Sequence, residues 1–334
     1  MRLRLDPWAA EYNTAYQAEF SPLPKELRVD HGVECAAADW QALSPPHTRP
    51  LWPELLFLDG RRRTEARVLA EDDRERLAFG VLGCYGVGAV SCCPEGSRRA
   101  VYADCWEVRR ICALSSGRQM VNFPIETTLS SQYGLLEYTV VSTAENDVDA
   151  VLHKLQSEML AAEERLAARL CGDCANALVI VDGPRPLTSP NRNLIGYVKT
   201  IHEVKLGREQ LAVVCALEQG ERSPLYLVEA RGSYYYEWFL RLRDPRPWLY
   251  SLAGMVRMQA YAGAEPAATL GHAQHIADWS CAALPRFASA AYQDPRAPQQ
   301  LLPIRALEAE LGRRMGSAEV IRRRITRHLS TLGA

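Results

Sequence analysis

The stretch LLFLDG, residues 55–60, is answered later in the chain by LVIVDG, residues 178–183. Each is a short apolar run closed by Asp-Gly. A run of four apolar residues predicts a strand covered on both faces, whereas Asp-Gly by itself is a turn dipeptide that ends a strand with no chemistry attached. Between the two phrases lies NDVDAVLHKLQSEMLAAEERLAARL, where Val148, Val151, Leu152, Leu155, Met159, Ala162, Leu166 and Leu170 recur at helical spacing. If the two strands lie side by side in one sheet, Asp59 and Asp182 emerge at the same edge. The helix before the second strand can bring a third carboxylate there, from Glu158, Glu163 or Glu164, each of which also reads as a simple surface charge. Carboxylates that converge without a basic partner repel one another and drive up their pKa values. A hard divalent cation with oxygen ligands, Mg²⁺ or Mn²⁺, resolves that conflict.

Working outward, residues 1–50 are rich in Pro and small residues, with SPLPKE and SPPHTRP interrupting any periodicity. They predict an irregular N-terminal arm. From Leu55 the texture is that of strands: LLFLD, ARVLA, LAFGVLGCYGVGAVSC and RRAVYADCWEV, a succession that implies an antiparallel start to a sheet. After the helix and the second Asp-Gly phrase come NLIGYVKTIHE, the strand-like QLAVVCAL, PLYLVEA and YYYEWFLRL, then at least two helices in the last quarter. No internal repeat or low-complexity linker divides this region. One elaborated α/β domain over 51–334 is expected.

With 334 residues, 48% of them hydrophobic and 24% charged, the chain has ample apolar content for a large core. No apolar stretch reaches the length of about 18 residues that a membrane span needs. The opening MRLRLDPWAAEYN places Asp6 and Glu11 where a signal peptide has its apolar centre, so a cytoplasmic protein is expected. Most of the ten cysteines sit singly in apolar surroundings and predict buried free thiols. Cys171 and Cys174 form a C-x-x-C without a second ligand pair for zinc. A net charge of −1 advertises no global affinity for nucleic acid, which leaves local patches. Arg61–Arg63 form one, and Arg313, Arg314, Arg322, Arg323, Arg324 and Arg327 another, although such runs also read as solvated faces. His272, His275 and Asp278 in GHAQHIADW lack a further ligand fixed by spacing, and Tyr234, Tyr235, Tyr236 and Trp238 read as core before they read as a base-stacking platform.

The phrases FLDG, MLAAEERLA leading to LVIVDGP, LIGYVK, YEWFLRL and above all DPRAPQQLLPIRALEAELGRRMG resemble the NurA family of nucleases, in its bacterial branch. The likeness runs from about Leu55 to the C-terminus and does not cover the arm. It implies a ribonuclease H-like mixed sheet flanked by helices, Mn²⁺-dependent (or Mg²⁺-dependent) cleavage of DNA, a homodimer, and work beside a HerA-type hexameric ATPase. The activity implied is that of a 5′–3′ exonuclease with single-strand endonuclease activity, in DNA end processing or defence. The resemblance puts the first-strand aspartate on Asp59, the helix glutamate on Glu163 and the second-strand aspartate on Asp182. In archaeal members the last metal-site position is a histidine in a Tyr-Pro-x-Pro…Ala-His phrase; aligning its proline on Pro303 puts that histidine on Glu308 and the tyrosine on Gln300. This chain departs from the archaeal pattern at both. A glutamate keeps the capacity to ligate a hard metal but supplies no imidazole.

The chemistry expected is phosphodiester hydrolysis, with Asp59, Glu163, Asp182 and Glu308 holding metal. Lys199 in GYVK, Arg241 in FLRL, Arg296 in DPRAP and Gln300 are the expected contacts to DNA, with Asp294 orienting Arg296. The alternative within the same resemblance is a non-catalytic subunit that docks on a hexameric ATPase and guides DNA. A phosphotransferase of actin-like fold is a more distant rival, since its other glycine-rich phosphate loops are not evident. No GxxxxGK[ST] is present, so ATP-driven movement must come from a partner.

Overall fold

A computed structural model describes residues 2–5, 27–45, 52–71, 77–93, 101–102, 105–117, 123–125, 135–186, 189–199, 205–230, 232–244, 252–290 and 298–332. The strands are β1 (Arg2–Leu5), β2 (Leu27–Asp30), β3 (Glu54–Glu71), β4 (Leu77–Cys92), β5 (Val101–Tyr102), β6 (Glu107–Leu114), β7 (Phe123–Ile125), β8 (Leu136–Ser142), β9 (Ala177–Asp182), β10 (Leu194–Val198), β11 (Tyr226–Ala230), β12 (Ser233–Arg241) and β13 (Met255–Tyr261). The helices are α1 (Val148–Asp173), α2 (Arg208–Ala216), α3 (Leu270–Ala283), α4 (Leu302–Arg314) and α5 (Ala318–Leu332).

The strands form one mixed sheet in the order β2-β11-β12-β13-β10-β9-β3-β4-β6-β8-β7, with β1 on β3 and β5 on β4. β3, β4 and β6 make the expected antiparallel start. β9 then returns parallel to β3, and β10 lies parallel to β9. The alternation of side chains along each strand sorts the core into two layers. Leu55 and Phe57 of β3 pack with Leu178, Ile180, Ile195, Tyr197 and residues of α3 and α4, whereas Leu56 and Leu58 pack with Val179, Val181 and the stripe Val151, Leu155, Met159, Ala162 and Leu166 of α1. The sheet is thus flanked by α1 on one face and by α3 and α4 on the other. α5 presents Ile321, Ile325 and Leu329 to Ala66, Val68 and Leu82.

Three sequence expectations change. Asp59-Gly60 is not a turn: β3 runs through it for 18 residues, joining LLFLD and ARVLA, with an irregularity between Thr64 and Ala66. QLAVVCAL belongs to the helix α2, because burial falls on Gln210, Val214 and Leu217, a helical rather than an alternating spacing. The arm is also less irregular than its composition suggests. Residues 27–30 add an edge strand antiparallel to β11, and Trp40 is buried against Tyr226. The predicted α1 forms as expected, capped by the Asp147 carboxylate, which accepts from Ala150 N at 2.6 Å. No helix among the described residues is long and apolar enough to cross a membrane.

Candidate active site

Parallel pairing of β3 with β9 runs from Glu54↔Ala177 to Leu58↔Val181, and the next residue on each strand is an aspartate. Asp59 shares a face with Leu55 and Phe57, and Asp182 with Leu178 and Ile180. On β10, beside β9, Lys199 follows Ile195 and Tyr197 in the same alternation. All three therefore point to the layer that holds α4. α4 is seated there by Leu307 and Leu311, so Glu308 faces the two aspartates. One carboxylate oxygen each from Asp59, Asp182 and Glu308 lie within 4.8 Å of one another.

Glu163 arrives from the opposite layer. Of the three glutamates on α1, Glu158 pairs with Lys154 at 2.8 Å, Glu164 is exposed, and Glu163 is buried. It reaches the site where β9 has ended and the edge of β3 is still open, before β1 covers it from Val68 onward. A Cβ on Gly60 would fall on Glu163 Oε1, well inside van der Waals contact, so a glycine here gives the carboxylate its path. Gly183, with φ of +126°, turns the chain after Asp182 and exchanges hydrogen bonds with Tyr197 in both directions, at 2.8 and 3.0 Å.

The electrostatics follow from this crowding. Burial, then the charges of Asp182 and Glu163, hold the Asp59 carboxyl well above the usual carboxylate range, with Lys199 opposing and Glu308 adding to the effect. Burial first and Asp182 second push Glu163 up to about 8. Asp59 Oδ1 accepts from Gly60 N at 2.8 Å, but Oδ2 is buried with no hydrogen-bond partner. A buried, orphaned carboxylate oxygen beside two further carboxylates is an environment that a cation completes. The donors are all oxygen, so the site could hold a hard metal ion.

A polar chain runs along the other side of the site. Lys199 Nζ lies 2.5 Å from Asp182 Oδ2 and donates to Gln300 Oε1 at 2.5 Å, while Gln300 Nε2 donates to Glu308 Oε2 at 3.0 Å. Gln300, expected to touch DNA, is instead fully buried between Lys199 and Glu308. Tyr197 OH donates to Gln299 O at 2.6 Å, fixing the approach to α4. Arg61 Nη1 donates to Glu308 O at 3.0 Å, a contact that the arginine run did not disclose.

Arg241 is a correction. It is fully buried, and its guanidinium donates to the carbonyls of Leu217, Ala253 and Cys215, so it braces the loops around β12 rather than meeting a DNA backbone. Arg296 and Asp294 lie outside the described residues. Tyr235, Tyr236 and Trp238 are buried in the core. His272 and His275 pack against the Trp52 ring, and Asp278 pairs with Arg222. None of the ten cysteines forms a disulfide; Cys171, in the last turn of α1, and Cys174, its C-cap, pack beside the core. No protein-family model matches the chain, and no curated protein matches it at a significant level.

Proposed function

We propose that this chain is a metal-dependent DNA nuclease of the NurA kind, built on a ribonuclease H-like core. The observation that carries the reading is the meeting of Asp59 and Asp182, on neighbouring parallel strands, with Glu308 of α4, and the orphaned Oδ2 of Asp59 among them. The strand order supports it. An antiparallel meander, β3-β4-β6, followed by a helix and two parallel strands, β9 and β10, is the arrangement expected of such a core.

Asp59, Asp182 and Glu308 would hold the ion, Mn²⁺ or Mg²⁺, with Glu163 behind them. A divalent ion there would supply a hydroxide nucleophile at neutral pH and a counter-charge for the departing oxygen. The protein's own groups do the rest. Lys199 brings a positive charge into an otherwise acidic site, which lets a phosphate approach. Glu163, raised to about 8 by burial and by Asp182, would hold its proton at neutral pH. Burial of Asp59 and Glu163 limits the water that competes for these oxygens.

The reading includes a homodimer beside a HerA-type ATPase, since a net charge of −1 and the lack of a nucleotide-binding motif leave the chain little means of advancing along a duplex. Labelled linear and circular DNA incubated with the protein and Mn²⁺, Mg²⁺ or EDTA tests the activity. Cleavage is expected with the ions, lost in EDTA, and lost in Asp59→Ala and Asp182→Ala. Cleavage that survives both substitutions overturns the site. DNA bound but never cut would leave the guiding role.

A further inference from the structure

The contacts of Gln300 give its single amide two opposite partners. Its oxygen takes a hydrogen bond from an ammonium, Lys199 Nζ, and its NH₂ gives one to a carboxylate, Glu308 Oε2. Those two charges leave only one orientation of the amide that satisfies both. The residue is fully buried, so water cannot substitute for either bond. Its backbone is held as well: Gln300 O accepts from Ser289 N at 3.4 Å, and the neighbouring Leu301 bridges to Ala288. The amide is thus a rigid link between β10 and α4.

We infer that Gln300 is a positioning residue that sets Glu308 against Asp59 and Asp182. This rests on the metal-site reading and deepens it. A carboxylate on a helix can turn about its side-chain bonds, whereas the shorter aspartates are carried by paired strands. Glu308 therefore depends on a neighbour to hold its oxygen toward Asp59 and Asp182. Gln300 supplies that hold with a neutral donor. It adds no charge to a site that is already acidic.

Other polar groups argue less far. The buried Glu237, with Tyr226, Gln259 and Lys205 around it, and the buried Arg185, which donates to four carbonyls, are satisfied within the protein.

The test is Mn²⁺ binding to the full chain, read as loss of the free-ion EPR signal, for wild type, Gln300→Met, Glu308→Gln and the double variant, each checked for folding by circular dichroism. Loss of an outer-shell partner costs roughly 10–100-fold in metal affinity, and Gln300→Met is expected to fall in that range. In the Glu308→Gln background the same substitution should cost no more than about twofold, because its effect runs through Glu308. Equal losses in both backgrounds, or wild-type affinity in Gln300→Met, overturn the inference. Gln300→Asn, which keeps the amide but is one methylene short of spanning both partners, applies the same test with a smaller change in packing. If wild type itself binds Mn²⁺ no better than Asp59→Ala, the metal-site reading fails instead.

Discussion

Gly60 shows how a single missing Cβ shapes this site. The atom that a new methyl group would meet first is Glu163 Oε1, the far end of a flexible side chain, with Met159 Cγ at 3.1 Å behind it. Gly60→Ala should therefore displace the carboxylate rather than unfold the strand. Thermal melting near that of wild type, with cleavage reduced as far as in Glu163→Ala, is the expected result. Wild-type cleavage would mean that Glu163 has no part in the site. Glu163 also makes stability depend on pH. Its carboxyl is raised to about 8 in the folded chain from an ordinary value of 4.5, so the folded state binds the proton more tightly than the unfolded state does. That contribution is complete below 4.5 and is lost as pH rises through 8. In metal-free protein, Glu163→Gln should melt on the order of a few degrees above wild type at the alkaline end of that window. The difference should shrink toward nothing at the acid end. Parallel melting curves for the two proteins across the window would contradict the raised value.

α4 carries Glu308, and its far end is held by half-buried arginines of the sheet. Arg63 donates to Gly316 O at 2.8 Å and to Met315 O at 3.1 Å, and Arg110 donates to Met315 O at 2.7 Å. These are the carbonyls where the helix stops, at Gly316 with its positive φ. Glu65, buried, balances both cations and accepts from Tyr138 OH at 2.5 Å. Glu65→Ala strands two guanidinium groups without their anion. A loss of about 3–5 kcal/mol in denaturant unfolding is expected, as for breaking other buried ion pairs. A loss within experimental error would mean that water or another group fills the role. Which elements could be read in advance follows from where their partners lie. α1 was legible because its stripe and its Asp147 cap are local, and β9 because an all-apolar run needs no partner to identify it. The run through Asp59-Gly60 was not, since only pairing with β4 on one side and β9 then β1 on the other keeps β3 extended there. α2 was hidden by its valines, and β2 by a partner strand far along the chain. Within the site, Asp59 and Asp182 are marked by the same apolar run before each, although only Asp182 ends its strand. Glu308 sits in RALEAEL among equivalent acids, and only the seating of Leu307 and Leu311 selects it. The burial of Gln300 and the three carbonyls around Arg241 come from distant loops that no local pattern reveals.

Across the whole molecule, the C-terminal arginines divide by what they face. Arg313 and Arg314 close on Glu310, and Arg314 also lies over the Trp106 ring, 3.8 Å from its centroid. Arg324 is buried on the inner side of α5. Arg322, Arg323 and Arg327 are exposed on the outer side, opposite the Ile321, Ile325 and Leu329 stripe that pins the helix to the sheet. A chain of net charge −1 has to concentrate what affinity it has for phosphates, and this helix offers three cations on one short face. Because their stems do not support the core, all three can be reversed without unfolding α5. The variant Arg322→Glu, Arg323→Glu, Arg327→Glu should keep the Mn²⁺ affinity of wild type, since none of these residues belongs to the carboxylate site. Its affinity for duplex DNA should fall at low salt. Each phosphate contact contributes roughly 0.9 to the slope of log K against log salt, so up to three lost contacts should flatten that slope by roughly 2 to 3. An unchanged slope in a folded variant would move the DNA path away from α5. A flattened slope with intact Mn²⁺ binding would place the phosphate grip on α5 and the metal site on separate elements.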